Sequence, residues 1–242
     1  MTSYQTELAV PPLPLSEGLQ IELQRSSYRQ YVRKHLRQGY PWKPDVFLVK
    51  KGGATYVVKD YADKAWSFRV CVGALSIRRE AMMYRRLRGI TGIPPHAFPV
   101  DRYAIAISHI AGRDASQIKP GELTPSFFEK LRGIVDRVHE RGIVLCDLRN
   151  IKNILLGDDG NPYLIDFSTA FQKGSRWNIL KNGIHHIFFQ DDLLGIAKLK
   201  RERAPHLLTE TEQRALEKGV FLQKHAIFVK LRGKALLRWI FG

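Results

Sequence analysis

The chain has 242 residues, 44% of them hydrophobic, and its 39 Lys and Arg against 23 Asp and Glu give a net charge of +16 and a pI near 10.0. That is enough apolar material for one sizeable core. The charge directs the surface toward polyanions over a Debye length of about 8 Å at physiological salt, and two cysteines, Cys71 and Cys146, exclude a disulfide framework and fit a reducing cytosol.

Residues 1–18 are Pro-rich, with Pro11, Pro12 and Pro14, and lack the basic start and apolar run of a signal peptide, so a loose arm is expected. Arg25, Arg29, Arg33 and Arg37 recur every four residues, which predicts a helix from Ser26-Ser27 to Gly39 with a basic ridge. Next, 46–49, Gly52-Gly53 and 56–59 read as strand, tight turn and strand, and alternation puts Lys59 on the face of Val57. Ser76 is the expected N-cap of a helix over 76–87 that carries Ile77, Glu80, Ala81 and Tyr84 on one face. Glu80 therefore points inward, where a lone carboxylate is unfavourable unless a cation such as Lys59 meets it.

Residues 103–109 read as a strand and Ala111-Gly112-Arg113 as a break. Thr124 and Pro125 start a helix whose Phe128, Leu131, Val135 and Val138 form an apolar stripe ending at Gly142. The apolar runs 154–156 and 163–165 flank Gly157-Asp158-Asp159-Gly160, a hairpin signal that brings Asn153 and Asp166 to one sheet edge with Asp147 on the loop feeding it. An Asn and an Asp can ligate magnesium through hard oxygens, while a second Asp kept off the metal can orient a hydroxyl and accept its proton. Singly, each has an ordinary alternative: a loop carboxylate, a turn, an exposed strand lysine. Asp191-Asp192 is expected to open a helix through Leu193, Leu194 and Ile196, and His185-His186 lacks zinc-ligand spacing.

Cys146-Asp147-Leu148-Arg149 followed by Asn153-Ile154-Leu155-Leu156, then Ile165-Asp166-Phe167-Ser168, resembles the catalytic loop and metal-binding segment of the protein-kinase-like superfamily. The nearest flavour is that of small bacterial RIO-like and lipopolysaccharide-core (Kdo) sugar kinases. The resemblance covers roughly 46–200 and implies an α+β, two-lobed fold with a small antiparallel-sheet amino-terminal lobe and a reduced, mainly helical carboxy-terminal lobe. It divides the chain into an arm (1–24), an amino-terminal lobe with the basic helix (25–110), a catalytic lobe (111–208) and a basic amphipathic helical segment (209–242).

By the same resemblance, ATP and Mg2+ are the cofactors and Asp147 is the catalytic base. Arg149 neutralises the transferred phosphate, and Asn153 and Asp166 hold magnesium. Lys59, paired with Glu80, grips the nucleotide under Val57, and Ile107, Ser108, His109 and Ile110 form the hinge for adenine. One of Asp191 and Asp192 braces the catalytic loop. The sequence departs from the pattern in four places: Leu145 replaces a histidine, Asn153 lies six residues beyond Asp147 and leaves Asn150 as a rival ligand, Ser168 replaces a glycine, and no G-x-G-x-x-G precedes Lys59. These departures keep open a catalytically weak pseudokinase acting as a binding module.

The 24 residues between Asp166 and Asp191 include Lys173, Arg176, Trp177 and Lys181 but no Ala-Pro-Glu, so a sugar, a glycolipid or a specific protein surface is expected as acceptor rather than an ordinary peptide. After Glu217 there is no acidic residue, and Lys218, Lys224, Lys230, Arg232, Lys234 and Arg238 interleave with bulky apolar residues that include Trp239 and Phe241. Such a tail suits an interfacial helix on an anionic membrane surface, or equally a final helix packed on the protein, but carries too many charges to span a bilayer. Nucleic acid is a further partner for the basic patches. The expected location is cytoplasmic, with a peripheral place at the inner membrane face.

Overall fold

The structure, a computed structural model, describes residues 23–175 and 177–218; the Pro-rich start and the basic tail with Trp239 and Phe241 lie outside the described residues. A 3-10 turn (Tyr28–Tyr31) leads into β1 (Val32–Arg37), β2 (Asp45–Lys51) and β3 (Ala54–Asp60). The expected basic helix is absent from this stretch. Val32, Lys34, His35 and Arg37 pair antiparallel with Val49, Leu48, Phe47 and Val46, so partnership with β2 overrides the four-residue arginine spacing. Gly52 and Gly53 adopt φ of +54° and +81°, the left-handed pair that a two-residue hairpin turn requires.

A three-residue helix, α1 (Trp66–Phe68), continues through a π turn (Arg69–Gly73) into α2 (Ala74–Leu87). Ser76 therefore lies inside the helix instead of capping it. Gly73 is needed because Tyr61 presses on it: a Cβ there would sit 3.0 Å from Tyr61 Cβ. β4 (Ala97–Asp101) and β5 (Ala104–Ser108) complete an antiparallel sheet in the order β1-β2-β3-β5-β4. Alternation along the strands divides its two faces. Val49, Tyr56, Val58, Ala104 and Ala106 pack under Leu23 and Tyr28, whereas Ile105 and Ile107 join Ile77, Met83, Tyr84 and Leu87 of α2 in the main core.

The second lobe contains β6 (Gly112–Asp114), α3 (Pro125–Glu140), β7 (Ile143–Val144), β8 (Ile154–Gly157), β9 (Pro162–Leu164), β10 (Phe171–Gln172) and α4 (Ile179–Arg203). Gly112 and Arg113, expected with Ala111 as a break, form with Asp114 a strand paired with β8, which in turn pairs with β9 in the expected hairpin. Thr124 caps α3 by accepting the Phe127 amide at 3.2 Å, worth about 1 kcal/mol, and Pro125 occupies the first turn. The buried stripe of α3 includes Phe128, Leu131, Val135 and Val138. Leu131 is fully buried, so Leu131→Ala would cost about 3 kcal/mol. Asp191 and Asp192 do not open a helix; they lie in the middle of the 25-residue α4.

Candidate active site

Lys59 near the end of β3 and Glu80 on α2 meet as their alternating and helical patterns predict, with Lys59 Nζ donating to Glu80 Oε1 at 2.7 Å. The same ammonium donates to Asp166 Oδ1 at 2.8 Å, across the cleft between the lobes. Burial disfavours charge on all three groups, and mutual attraction opposes that cost. For Lys59, burial lowers the pKa but Glu80 and Asp166 outweigh it and raise it. Glu80 is pushed up by burial against the pull of Lys59, while Asp166, whose burial also acts upward, is held down to about 2 by the Lys59 ammonium. Asp166 is thus a firm carboxylate with 35% of its side chain exposed to the cleft.

Asp166 also holds φ of +65°, uncommon for a residue with a side chain. Tyr84 OH accepts its amide at 3.4 Å, and the Phe167 ring packs edge-on against Tyr84 with centroids 4.8 Å apart. Arg79 on α2 donates to the carbonyls of Thr169 and Ala170. Helix α2 and residues 166–170 are therefore locked together through both backbone and side chains.

Asp147 and Asn153 come together on the opposite wall. Asn153 Nδ2 donates to Asp147 O at 3.1 Å and Asp147 Oδ2 at 3.3 Å, and among the described residues its side-chain oxygen accepts only the long bond from Asn150 Nδ2. The extra loop residue is absorbed in a 3-10 turn (Ile151–Asn153), and the Ile165 amide bonds Asn153 O at 3.0 Å, which sets Asp166 beside it. Asn150, the rival ligand, is exposed and 3.5 Å from Asn153 Oδ1.

One face of α4 holds this loop. Asp192, fully buried, accepts the amides of Leu145 at 2.8 Å and Cys146 at 3.1 Å. One turn on, Gly195 lets α4 press close, since a Cβ there would lie 2.9 Å from the Leu148 carbonyl carbon. Lys198 Nζ then bonds Arg149 O at 2.8 Å. Cys146 sits at φ +64°, and burial raises its thiol pKa, so it is a packed neutral group. Arg149 is not poised in open solvent: its Nη1 is 3.0 Å from Asp191 Oδ1.

His139 was missed from the sequence. Its Nε2 lies 2.9 Å from Asp192 Oδ2, so it supplies from α3 the hydrogen bond that Leu145 cannot make. The signal was available: His139 stands four residues after Val135, on the inner face of the apolar stripe. His185 is also structural, its Nε2 3.1 Å from Gly142 O.

Around the nucleotide side, Val57 shares the cleft face with Lys59, and Val46 pairs with Lys59 in the adjacent strand. The Ser108 and His109 amides are taken up by His96 O at 2.8 Å and Thr55 O at 3.0 Å, and Ile107 is a buried strand residue. Ile110 remains as the hinge amide with no partner among the described residues. The connection that reaches the Lys59 end of the sheet is 38–44, not the Gly52-Gly53 turn. It is folded on itself: Gly39 N–H donates to Asp45 Oδ1 at 2.7 Å, Lys64 bonds Gly39 O at 3.2 Å, and a Cβ on Gly39 would collide with Lys43 O at 2.2 Å.

No cluster of three or more His, Cys, Asp or Glu able to hold a metal occurs among the described residues. Asn153 and Asp166 offer two hard oxygens, the small protein share that suits magnesium, which keeps waters and takes phosphate oxygens for the rest.

Fold and geometry together define a two-lobed protein of the kinase-like fold. Solved structures agree: the Rio2 kinase of Chaetomium thermophilum superposes with a TM-score of 0.56 at 17% identity, covering 78% of this chain and 64% of that one. The same kinase in its ADP/Mg2+-phosphoaspartate complex gives a TM-score of 0.56 at 19% identity, covering 78% and 62%. The chain thus spans less than two thirds of the length of these kinases. No protein-family model matches the sequence, and no curated protein matches it.

Proposed function

We propose that the chain is an ATP- and magnesium-dependent phosphotransferase acting on a hydroxyl of a sugar, a glycolipid or a protein. The observation that carries this reading is the Lys59 ammonium bound at once to Glu80 and Asp166, facing the Asp147–Asn153 pair. Magnesium, held by Asn153 and Asp166, would offset the charge of the nucleotide phosphates. Lys59 turns from Asp166 to the phosphates while Glu80 keeps it in place. Asp147 orients the acceptor hydroxyl and accepts its proton as the new O–P bond forms and the bond from the γ-phosphorus to the bridging oxygen of ADP breaks. Positioning and preset charge supply the acceleration.

Rio2 kinase as an ADP/Mg2+ complex supports the nucleotide and the cation by analogy of fold. The small bacterial sugar-kinase type, with action at the cytoplasmic membrane face, rests on the sequence resemblance and the missing peptide-docking signature. The nucleic-acid reading is weakened because Arg25 and Arg29 are committed to Asp60, Asp101 and Asp63.

Asp147→Asn should lower turnover by about 100-fold or more while nucleotide affinity stays the same. Turnover near wild type in that variant removes Asp147 from the mechanism. The self-folded 38–44 loop favours one second reading, a binding module that holds nucleotide without transfer. Magnesium-dependent ATP binding without hydrolysis in the wild-type chain would select it.

A further inference from the structure

The amino-terminal half of α4 carries bulky apolar residues on its outer face as well as its inner one. Its inner face is occupied: His185 bonds Gly142 O, and Phe171 of β10 packs on the His185 and Phe188 rings at 6.0 and 5.7 Å. Its outer face is in solvent, with Ile179 82%, Ile184 41% and Ile187 63% exposed and Trp177, just ahead of the helix, 80% exposed. Large apolar side chains gathered in solvent on one helix face mark a surface that meets a partner.

The segment ahead of this face is tied down and leads back to the site. Asn178 caps α4 by accepting the Lys181 amide at 3.0 Å, and Asn182 ties the preceding segment back through Gly174 N–H and Ser175 O. That segment leaves the site at Ala170, where Arg79 grips it, and Leu75, 64% exposed, stands one turn before Arg79 on α2. The exposed apolar groups thus follow in the chain on the segment that Arg79 holds beside Asp166.

Charge chooses the occupant. Between Asp166 and Asp191 there is no acidic residue, while Lys173 and Lys181 are exposed beside the isoleucines, in a chain of net charge +16. The side chains project from the start of a helix, and a fluid interface admits protruding groups without a matching hollow. Exposed apolar groups in a stretch that carries lysines and no acidic residue suit the boundary of an anionic bilayer. Among the described residues no helix is long and apolar enough to cross one.

We propose that the face formed by Trp177, Ile179, Ile184 and Ile187, with Lys173 and Lys181, docks on an anionic lipid bilayer and that the acceptor hydroxyl reaches Asp147 from that surface. The second half rests on the phosphotransferase reading; the docking does not. The test uses the full chain, with its basic tail intact, sedimented with mixed phosphatidylglycerol/phosphatidylcholine vesicles and with phosphatidylcholine vesicles alone. Wild type should partition to the mixed vesicles, and Ile184→Glu with Ile187→Glu should weaken partition about tenfold or more. Lys173→Gln and Lys181→Gln should each weaken it about fivefold. ATP hydrolysis without vesicles and the thermal midpoint should not change, because these side chains are exposed and touch no catalytic group. Undiminished partition of the double isoleucine variant overturns the proposal. So does a wild-type dimer that the same variant makes monomeric, since a second copy would then cover the face. Vesicle binding by a chain that does not hydrolyse ATP leaves the docking standing and removes the phosphotransferase reading instead.

Discussion

Lys59 and Asp60 are neighbours on β3, point to opposite faces of one sheet, and anchor two ionic clusters of opposite character. Asp60 is closed in: Arg25 bonds both its oxygens, Tyr28 OH donates to Oδ2, the Ala62 amide reaches Oδ1 at 2.8 Å, and its side chain is 2% exposed. Arg25 continues to Asp101, whose Oδ1 also takes the Tyr103 and Ala104 amides. That cluster ties the start of the described chain to the back of the sheet. The Lys59 cluster has the same ingredients but stays open on one side, with Asp166 facing the cleft, which is the opening that the proposed exchange of its partners for phosphate and metal requires. Saturated hydrogen bonding marks a fastening; a shared cation with an exposed carboxylate marks a candidate site.

The comparison can be broken by removing one cation from each cluster. Lys59→Met should lower turnover by about 100-fold or more, read in a steady-state ATP assay. It should also cost about 3 kcal/mol in urea unfolding, because Glu80 is left buried without its cation. Adding Glu80→Leu should restore the stability and none of the turnover. Arg25→Ala should cost about 2 kcal/mol by exposing Asp60 and Asp101 to their own burial, with turnover unaltered. A large loss of turnover from Arg25→Ala would show that the two faces are coupled.

His139→Ala sharpens the picture at the loop. It should lower stability by about 1 kcal/mol and reduce kcat more than KM, since Asp192 would still bind the Leu145 and Cys146 amides but lose its own support. The smallest effect is on pH dependence. Asp166 is depressed in the folded state to about 2, so its contribution is full above the unfolded carboxylate value near 3.9 and is lost as pH falls through about 2. Acid unfolding of wild type should show this added slope between about pH 4 and 2. Lys59→Met should lack it.

What could be read from the sequence was local or periodic. The Gly157–Gly160 turn, the Gly52-Gly53 turn and the Thr124-Pro125 cap each depend on neighbours in the chain, and all three hold. Lys59 and Glu80 were legible because alternation and helical spacing fix where each points. What failed depended on distant partners. The four arginines mimic a helix, yet β2 claims residues 32–37 as an edge strand and two of the cations turn to Asp60, Asp101 and Asp63. The role of 38–44 follows from the register of β1, which no local pattern sets. The paired aspartates looked like a helix start, whereas Asn178 had already capped α4 well upstream. His139 and Asp192 are 53 positions apart and meet only because α3 and α4 pack together.

Cys146 and Asp166, the two side-chain-bearing residues with left-handed backbones among those described, stand one on each loop that converges on the cleft. Their neighbourhood should therefore show a distinctive tolerance profile in a saturation library. At position 146 glycine and asparagine should pass a folding screen while valine, isoleucine and threonine are rejected, even though valine and threonine are closer to cysteine in size than glycine is. A loop that selects on backbone handedness rather than on size is one whose shape is fixed before any ligand arrives.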